Sequence, residues 1–195
     1  MPQGKQAKII SDKELKRILA ELQESRYPVR DRVMFLLSVK AGLRAKEISC
    51  LTWGMVTDAS GSVGDEIALP NTASKGKGGG RTIPLNPELR TALIELKSDG
   101  IAADKPVIHS ERGEGLSAGS VTVWFHRLYN EKLELDGCSS HSGRRTFITK
   151  AARKIVEAGG SLRDIQQLAG HSNLGTTQRY IEGSSDAKRR VVAMI

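Results

Sequence analysis

Apolar residues at Leu15, Ile18, Leu19 and Leu22 recur three and four positions apart, the spacing of one face of an α-helix. Ser11 and Glu14 stand just before them at the separation of a capping box, so the helix opens at Ser11. It ends near Ser25, ahead of Pro28. Over residues 29–41 the pattern changes. Val33, Phe35, Leu36, Leu37 and Val39 leave almost no polar face, which predicts a buried helix that Gly42 can terminate. A short helix follows over residues 45–51. Two brief apolar stretches, 66–69 and 81–85, read as strands, joined by the glycine- and lysine-rich turn between them into a small antiparallel hairpin. Asn86 and Pro87 then supply an N-cap and a first-turn proline for a helix carrying Leu89, Ala92, Leu93 and Leu96, finished by Gly100.

Further helices are predicted over residues 117–133, and from His141 through Phe147, Ile148, Ala151, Ala152 and Ile155 to Gly159. Another starts at the capping box of Ser161 and Asp164 and ends at Gly170. Thr176 or Thr177 is the expected cap of a last turn bearing Tyr180. The sum is mostly α with a small antiparallel β-sheet, an α+β class, with no internal repeat. The expected organisation is an N-terminal tail over 1–10, one domain over 11–183, and a C-terminal segment over 184–195.

Composition narrows the function classes. The 195 residues are 38% hydrophobic and 27% charged, as in globular chains. No apolar run approaches the ~20 residues that span a bilayer, and the first residues lack the apolar stretch of a signal peptide. Cys50 and Cys138 lie far apart without metal or disulfide spacing. Cys50 is expected in the core and Cys138 in a loop, and a cytoplasmic location follows. A net charge of +8 suggests a polyanionic partner, because binding one releases condensed counterions. With aromatics at only 4%, a stacking platform for single strands is not expected, and double-stranded DNA is the better candidate.

The candidate chemistry rests on six side chains. Attack on a phosphodiester builds negative charge on the non-bridging oxygens, and fixed cations lower that barrier. Arginine suits the role, since its planar fork bonds two phosphate oxygens and keeps its charge. Arg44 and Arg144, from separate helices, can clamp one phosphate. A tyrosine can attack and leave again, which resealing requires, and Tyr180 is the candidate nucleophile. A phenol, with pKa ~10, needs help to ionise. His141 is the candidate base, and His171 a hydrogen-bond donor to the phosphate. Lys75 or Lys77, on the hairpin turn, can protonate the departing sugar oxygen. Glu47, one turn after Arg44, orients a neighbour. Acidic residues form no cluster at ligand spacing, which argues against two-metal chemistry. The run Gly76–Gly80 lacks the order of a phosphate-binding P-loop. No cofactor or metal is expected. His109, His126, Trp53 and Trp124 are taken as loop, surface or core residues.

In order, Ala41-Gly-Leu-Arg44 with Glu47, a hairpin lysine, His141-Ser-Gly-Arg144, Leu168-Ala-Gly-His171 and Tyr180 resemble the catalytic domain of the tyrosine recombinases, or phage integrase family. The resemblance covers about residues 9–183. It implies a site-specific DNA recombinase of integrase or invertase type. Tyr180 would form a 3′-phosphotyrosyl bond and free a 5′-hydroxyl, and a second 5′-hydroxyl would displace it. It also implies a tetramer on paired DNA sites, a monomer off DNA, and docking of residues 184–195 on a neighbouring protomer. Lys77, Arg81 and Arg145 are the expected DNA contacts. The chain departs from the common pattern in three ways. The usual N-terminal clamp domain has no counterpart in these residues, and a short invertase or an excised catalytic domain is the expectation. Gly143 and Arg145 replace a leucine and a histidine. The lysine spacing fits neither Lys75 nor Lys77, and Lys75 is preferred. A type IB topoisomerase and a non-catalytic DNA-binding regulator, using residues 162–182 as a helix-turn-helix, are the rivals.

Overall fold

The computed structural model describes residues 6–72, 80–180 and 192–193. Helix α1 (Asp12–Gln23) is opened by the expected capping box, Ser11 N and Oγ both donating to the Glu14 carboxylate. Helix α2 (Pro28–Lys40) lies at the centre, packed by α1, by α3 (Ala45–Ser49), by α4 (Pro87–Leu96) and by α6 (Ser142–Lys154). Its Val33, Met34, Phe35, Leu36, Leu37 and Val39 are all buried. Each such side chain contributes about 1.5–3 kcal/mol of gross transfer free energy. A helix enclosed on every side cannot carry the polar stripe of a surface helix, which is why its sequence shows none.

Strands β1 (Glu66–Leu69) and β2 (Arg81–Pro84) pair antiparallel, with Ile67 opposite Ile83 and Leu69 opposite Arg81. Ile67, Leu69 and Ile83 face the core. Period-two alternation therefore puts Arg81 on the same inward side as Ile83. Residues 73–79, which include Lys75 and Lys77, lie outside the described residues, as does nearly all of 184–195.

Helix α5 (Ala118–His126) does not run to residue 133 as a plain α-helix. It widens into a π-helical turn over Arg127–Lys132, where Leu128 and Tyr129 are buried. Helix α7 (Leu162–Ala169) keeps its predicted capping box and ends at Gly170, whose φ of +61° closes the helix in the left-handed region. Helix α8 (Leu174–Gln178) is capped by Asn173, not by Thr176 or Thr177. Asparagine is among the strongest N-caps, and both threonines fall inside the helix.

A second, smaller apolar cluster of Ile148, Ile165 and Ala169 joins α6 to α7, with Phe147 and Tyr180 against it. The two cysteine expectations reverse. Cys50, one residue past α3 on its outer side, is exposed, while Cys138 sits in a loop but packs into the main core. The boundary expected at residue 10 falls inside the packed body, since Ile10 is fully buried and its amide donates to Thr146 Oγ1. Among the described residues no helix is long and apolar enough to cross a membrane.

Candidate active site

The first turn of α6 carries the His141 and Arg144 pair, three residues apart and so on one side of the helix. Arg144 turns inward and is only 4% exposed. Its Nη1 donates to Gly42 O at 2.6 Å and its Nη2 to Ala169 O at 2.6 Å. Gly42 follows the end of α2 and Ala169 is the last residue of α7. Both carbonyls are thus helix-terminal acceptors at the negative end of a helix, where a cation is favoured. Two of the guanidinium's five N–H groups are used this way, and the others are unbonded among the described residues. Burial, and secondarily the charge of Arg44, push the Arg144 pKa down to about 9. The group still holds its proton at neutral pH.

Gly42 has a φ of +67°, and a side chain there would run into the Phe147 ring. Glycine thus serves two ends at this position, reversing the chain after α2 and letting α6 come close enough for Arg144 to reach it. Gly143 does similar work one turn earlier, where an added Cβ would overlap Ser38 of α2.

Arg44 precedes α3. Its backbone N–H donates to Glu47 Oε2 at 2.8 Å, and its Nη1 bonds Glu47 Oε1 at 2.9 Å. Glu47 is 1% exposed and receives a second arginine as well, Arg81 Nη1 and Nη2 meeting its two oxygens at 2.9 Å each. Glu47 therefore orients two arginines. Burial opposes its charge, but the Arg81 and Arg44 contacts outweigh burial and hold its carboxyl below the ordinary value. Arg81, expected as a DNA contact, instead spends both terminal nitrogens on Glu47. It also packs so tightly on Gly170 that any side chain there would strike its guanidinium.

His171 follows Gly170. Its Nδ1 lies 2.9 Å from Thr177 Oγ1, and its ring stacks on Tyr180 with centroids 5.7 Å apart and 21° between planes. Burial first, then the charges of Arg144, Arg44 and Arg81, push its pKa down to about 4. The imidazole is therefore neutral at pH 7. With Nδ1 held by Thr177, Nε2 is the nitrogen left for a ligand. His141 is more exposed, with Nδ1 3.3 Å from Ser140 Oγ. Desolvation, Arg144 and Arg44 lower its pKa too, favouring the unprotonated form that a base requires. Two guanidiniums thus share the Glu47 carboxylate while Arg144 is held by backbone carbonyls alone, and the site carries excess positive charge.

A cavity of about 400 Å³ brings His141, Arg144, Arg145 and Tyr180 together with Gln6 and Ala7. The structure gathers five of the six expected catalytic side chains, since Arg44 and His171 act on the same groups from beside the cavity. The lysine, Lys75 or Lys77, lies outside the described residues. Arg145 lines the cavity, and its Nη1 donates to Ala7 O at 2.7 Å. Sequence reasoning missed Thr177, the two carbonyls that seat Arg144, and the Arg81 pairing. Only the last left a signal, the alternation that turns Arg81 inward with Ile83. Among the described residues no three His, Cys, Asp or Glu side chains are grouped to hold a metal ion.

The chain is 30% identical over 167 residues to the tyrosine recombinase XerC of Pelobacter propionicus, covering 84% of this chain and 51% of that one. It is 32% identical to XerC of Xylella fastidiosa, covering 78% and 48%. The chain thus spans about half the length of the curated relatives it matches. The fold matches a solved Tn1549 transposon integrase in complex with transposon right end DNA, with a TM-score of 0.72 at 21% identity over 99% of this chain and 66% of that one. It also matches the XerH site-specific recombinase bound to its difH substrate, with a TM-score of 0.70 at 20% identity over 99% and 55%. The family model described as "Phage integrase family" matches residues 8–186, and the chain belongs to that family.

Proposed function

We propose that the chain breaks and rejoins double-stranded DNA as a site-specific tyrosine recombinase. The observation that carries this reading is the convergence of Tyr180, His141, His171 and two arginines on one positively charged site. Tyr180 attacks the scissile phosphorus, and the phenolic proton passes to neutral His141. Arg144 and Arg44 meet the charge that develops on the non-bridging oxygens. His171 donates through Nε2, Thr177 fixing its tautomer from Nδ1. The departing 5′ oxygen takes a proton from the hairpin lysine, Lys75 or Lys77. A 5′-hydroxyl from a second duplex, giving its proton back to that lysine, then attacks the phosphorus of the 3′-phosphotyrosyl ester, and the Tyr180 oxygen leaves with the proton held by His141. The phosphate ester is conserved throughout, so the cycle needs no energy source. Four protomers acting on paired sites, monomers off DNA, docking of residues 184–195 on a neighbour, and a cytoplasmic location complete the proposal. XerC and XerH, among the similar proteins, carry recombinase names, and this supports recombination over simple relaxation.

A pool of random-sequence duplexes, each nicked so that the 5′ fragment diffuses away, tests the proposal. A recombinase forms an adduct that survives boiling in detergent, and Tyr180→Phe forms none. Duplexes recovered from the adduct, rebuilt as paired sites, should exchange strands. Relaxation of supercoils without exchange would favour a topoisomerase. Salt-sensitive binding with no adduct would favour a non-catalytic regulator.

A further inference from the structure

Residues ahead of α1 are built into the catalytic cavity. Gln6 and Ala7 line it beside His141, Arg144 and Tyr180. Besides the Lys8–Glu14 ion pair to α1, three bonds fasten this segment to α6 and the loop before it. Arg145 Nη1 donates to Ala7 O at 2.7 Å, Lys8 N donates to Gly137 O at 2.9 Å, and Ile10 N donates to Thr146 Oγ1 at 2.8 Å. Thr146 Oγ1 in turn donates to Ser142 O within α6 at 2.7 Å, and Ile10 is fully buried. Two of the anchors, Arg145 and Thr146, directly follow Arg144 on α6.

From this geometry we infer that Arg145 is a positioning residue. It latches the segment 6–10 onto α6, so that the segment forms one wall of the cavity and holds the first turn of α6 in place. An arginine that only met DNA phosphates would have no need of a backbone carbonyl. Here the guanidinium satisfies Ala7 O, a bond that carries no base or phosphate recognition. The inference rests on the strand-transfer reading, because its readout is cleavage.

The test compares Arg145→Ala with the wild-type chain on the nicked duplex pool. The latch predicts adduct formation slower by roughly 10- to 100-fold, the range in which small misplacements of reacting groups fall. DNA affinity should change little, and the salt slope of binding should stay as in the wild type. The Lys8 and Ile10 amides should exchange with solvent faster. Arg145→Lys, which can still donate to Ala7 O, should recover most of the rate. A direct phosphate contact would instead lower the salt slope by about one with amide exchange unchanged, and this would overturn the inference. Lys8→Pro loosens the segment from its other side by deleting the amide bond to Gly137 together with the Lys8–Glu14 ion pair, and should slow cleavage without touching Arg145. Wild-type cleavage in Lys8→Pro, with faster Ile10 exchange, would also overturn it. Absence of any adduct from the wild-type chain would count against the strand-transfer reading itself.

Discussion

Glu47→Ala should be among the most damaging single substitutions outside the apolar core. The carboxylate is 1% exposed and accepts from Arg81 Nη1, Arg81 Nη2, Arg44 Nη1 and the Arg44 amide, all at 2.8–2.9 Å. Removing it leaves the Arg81 guanidinium, 9% exposed, without its counter-charge and near the charges of Arg44 and Arg144. Breaking a buried pair from one side costs about 3–5 kcal/mol. At this chain length each kcal/mol moves Tm by roughly 2–4 °C, so a fall of roughly 6–20 °C is expected. Thermal and urea denaturation of Glu47→Ala, Arg81→Leu and the double variant measure it. The double variant should be more stable than Glu47→Ala alone, since the stranded charge goes with its partner. The pair also sets a pH dependence. The folded carboxyl titrates below its ordinary 4.5, so its contribution is complete above that pH and is lost as pH falls through the folded value. Glu47→Gln should flatten the wild-type loss of stability below pH 4.5. A Glu47→Ala chain within 1 kcal/mol of wild type, or strictly additive effects in the double variant, would refute this account of the ion pairs.

Other outcomes follow from the same geometry. Arg144→Ala should slow adduct formation by at least ~10²-fold at unchanged DNA-binding register, as for loss of a transition-state charge donor, and quench kinetics with the nicked pool report it. Thr177→Val removes the hydroxyl beside His171 Nδ1 and should slow cleavage roughly 10-fold or more while thermal stability changes little, by analogy with loss of an orienting partner. The acid limb of the rate profile should lie below pH 6.5, because desolvation, Arg144 and Arg44 all keep His141 unprotonated; in Arg44→Ala the limb should shift upward. Gly170→Ala places a methyl on Arg81 in a left-handed position and should cost about 1–2 kcal/mol or more, read by urea denaturation.

Local chemistry made much of the fold legible. The boxes at Ser11 with Glu14 and at Ser161 with Asp164 each sit within four residues, and both helices begin where they say. The hairpin was readable because two short apolar strands flank a turn-rich segment. Family spacing supplied the catalytic residues, and the structure brings together the five of those six that it describes. What escaped is long-range. Arg81 meets Glu47 across 34 residues, and Arg144 reaches Gly42 across 102. No local propensity encodes either contact. The misplaced cap of α8 has a different cause, because Asn173 outcompetes the threonines and frees Thr177 to face His171. Cys50 misled because a short helix gives too few turns to fix its buried face.

The most direct measurement is to digest the trapped protein–DNA adduct with nuclease and protease and sequence the nucleotide-bearing peptide by mass spectrometry. A 3′-phosphonucleotide should be found on Tyr180 and on no other residue. Linkage to a serine or to another tyrosine, or strand exchange that persists in Tyr180→Phe, would contradict the central claim.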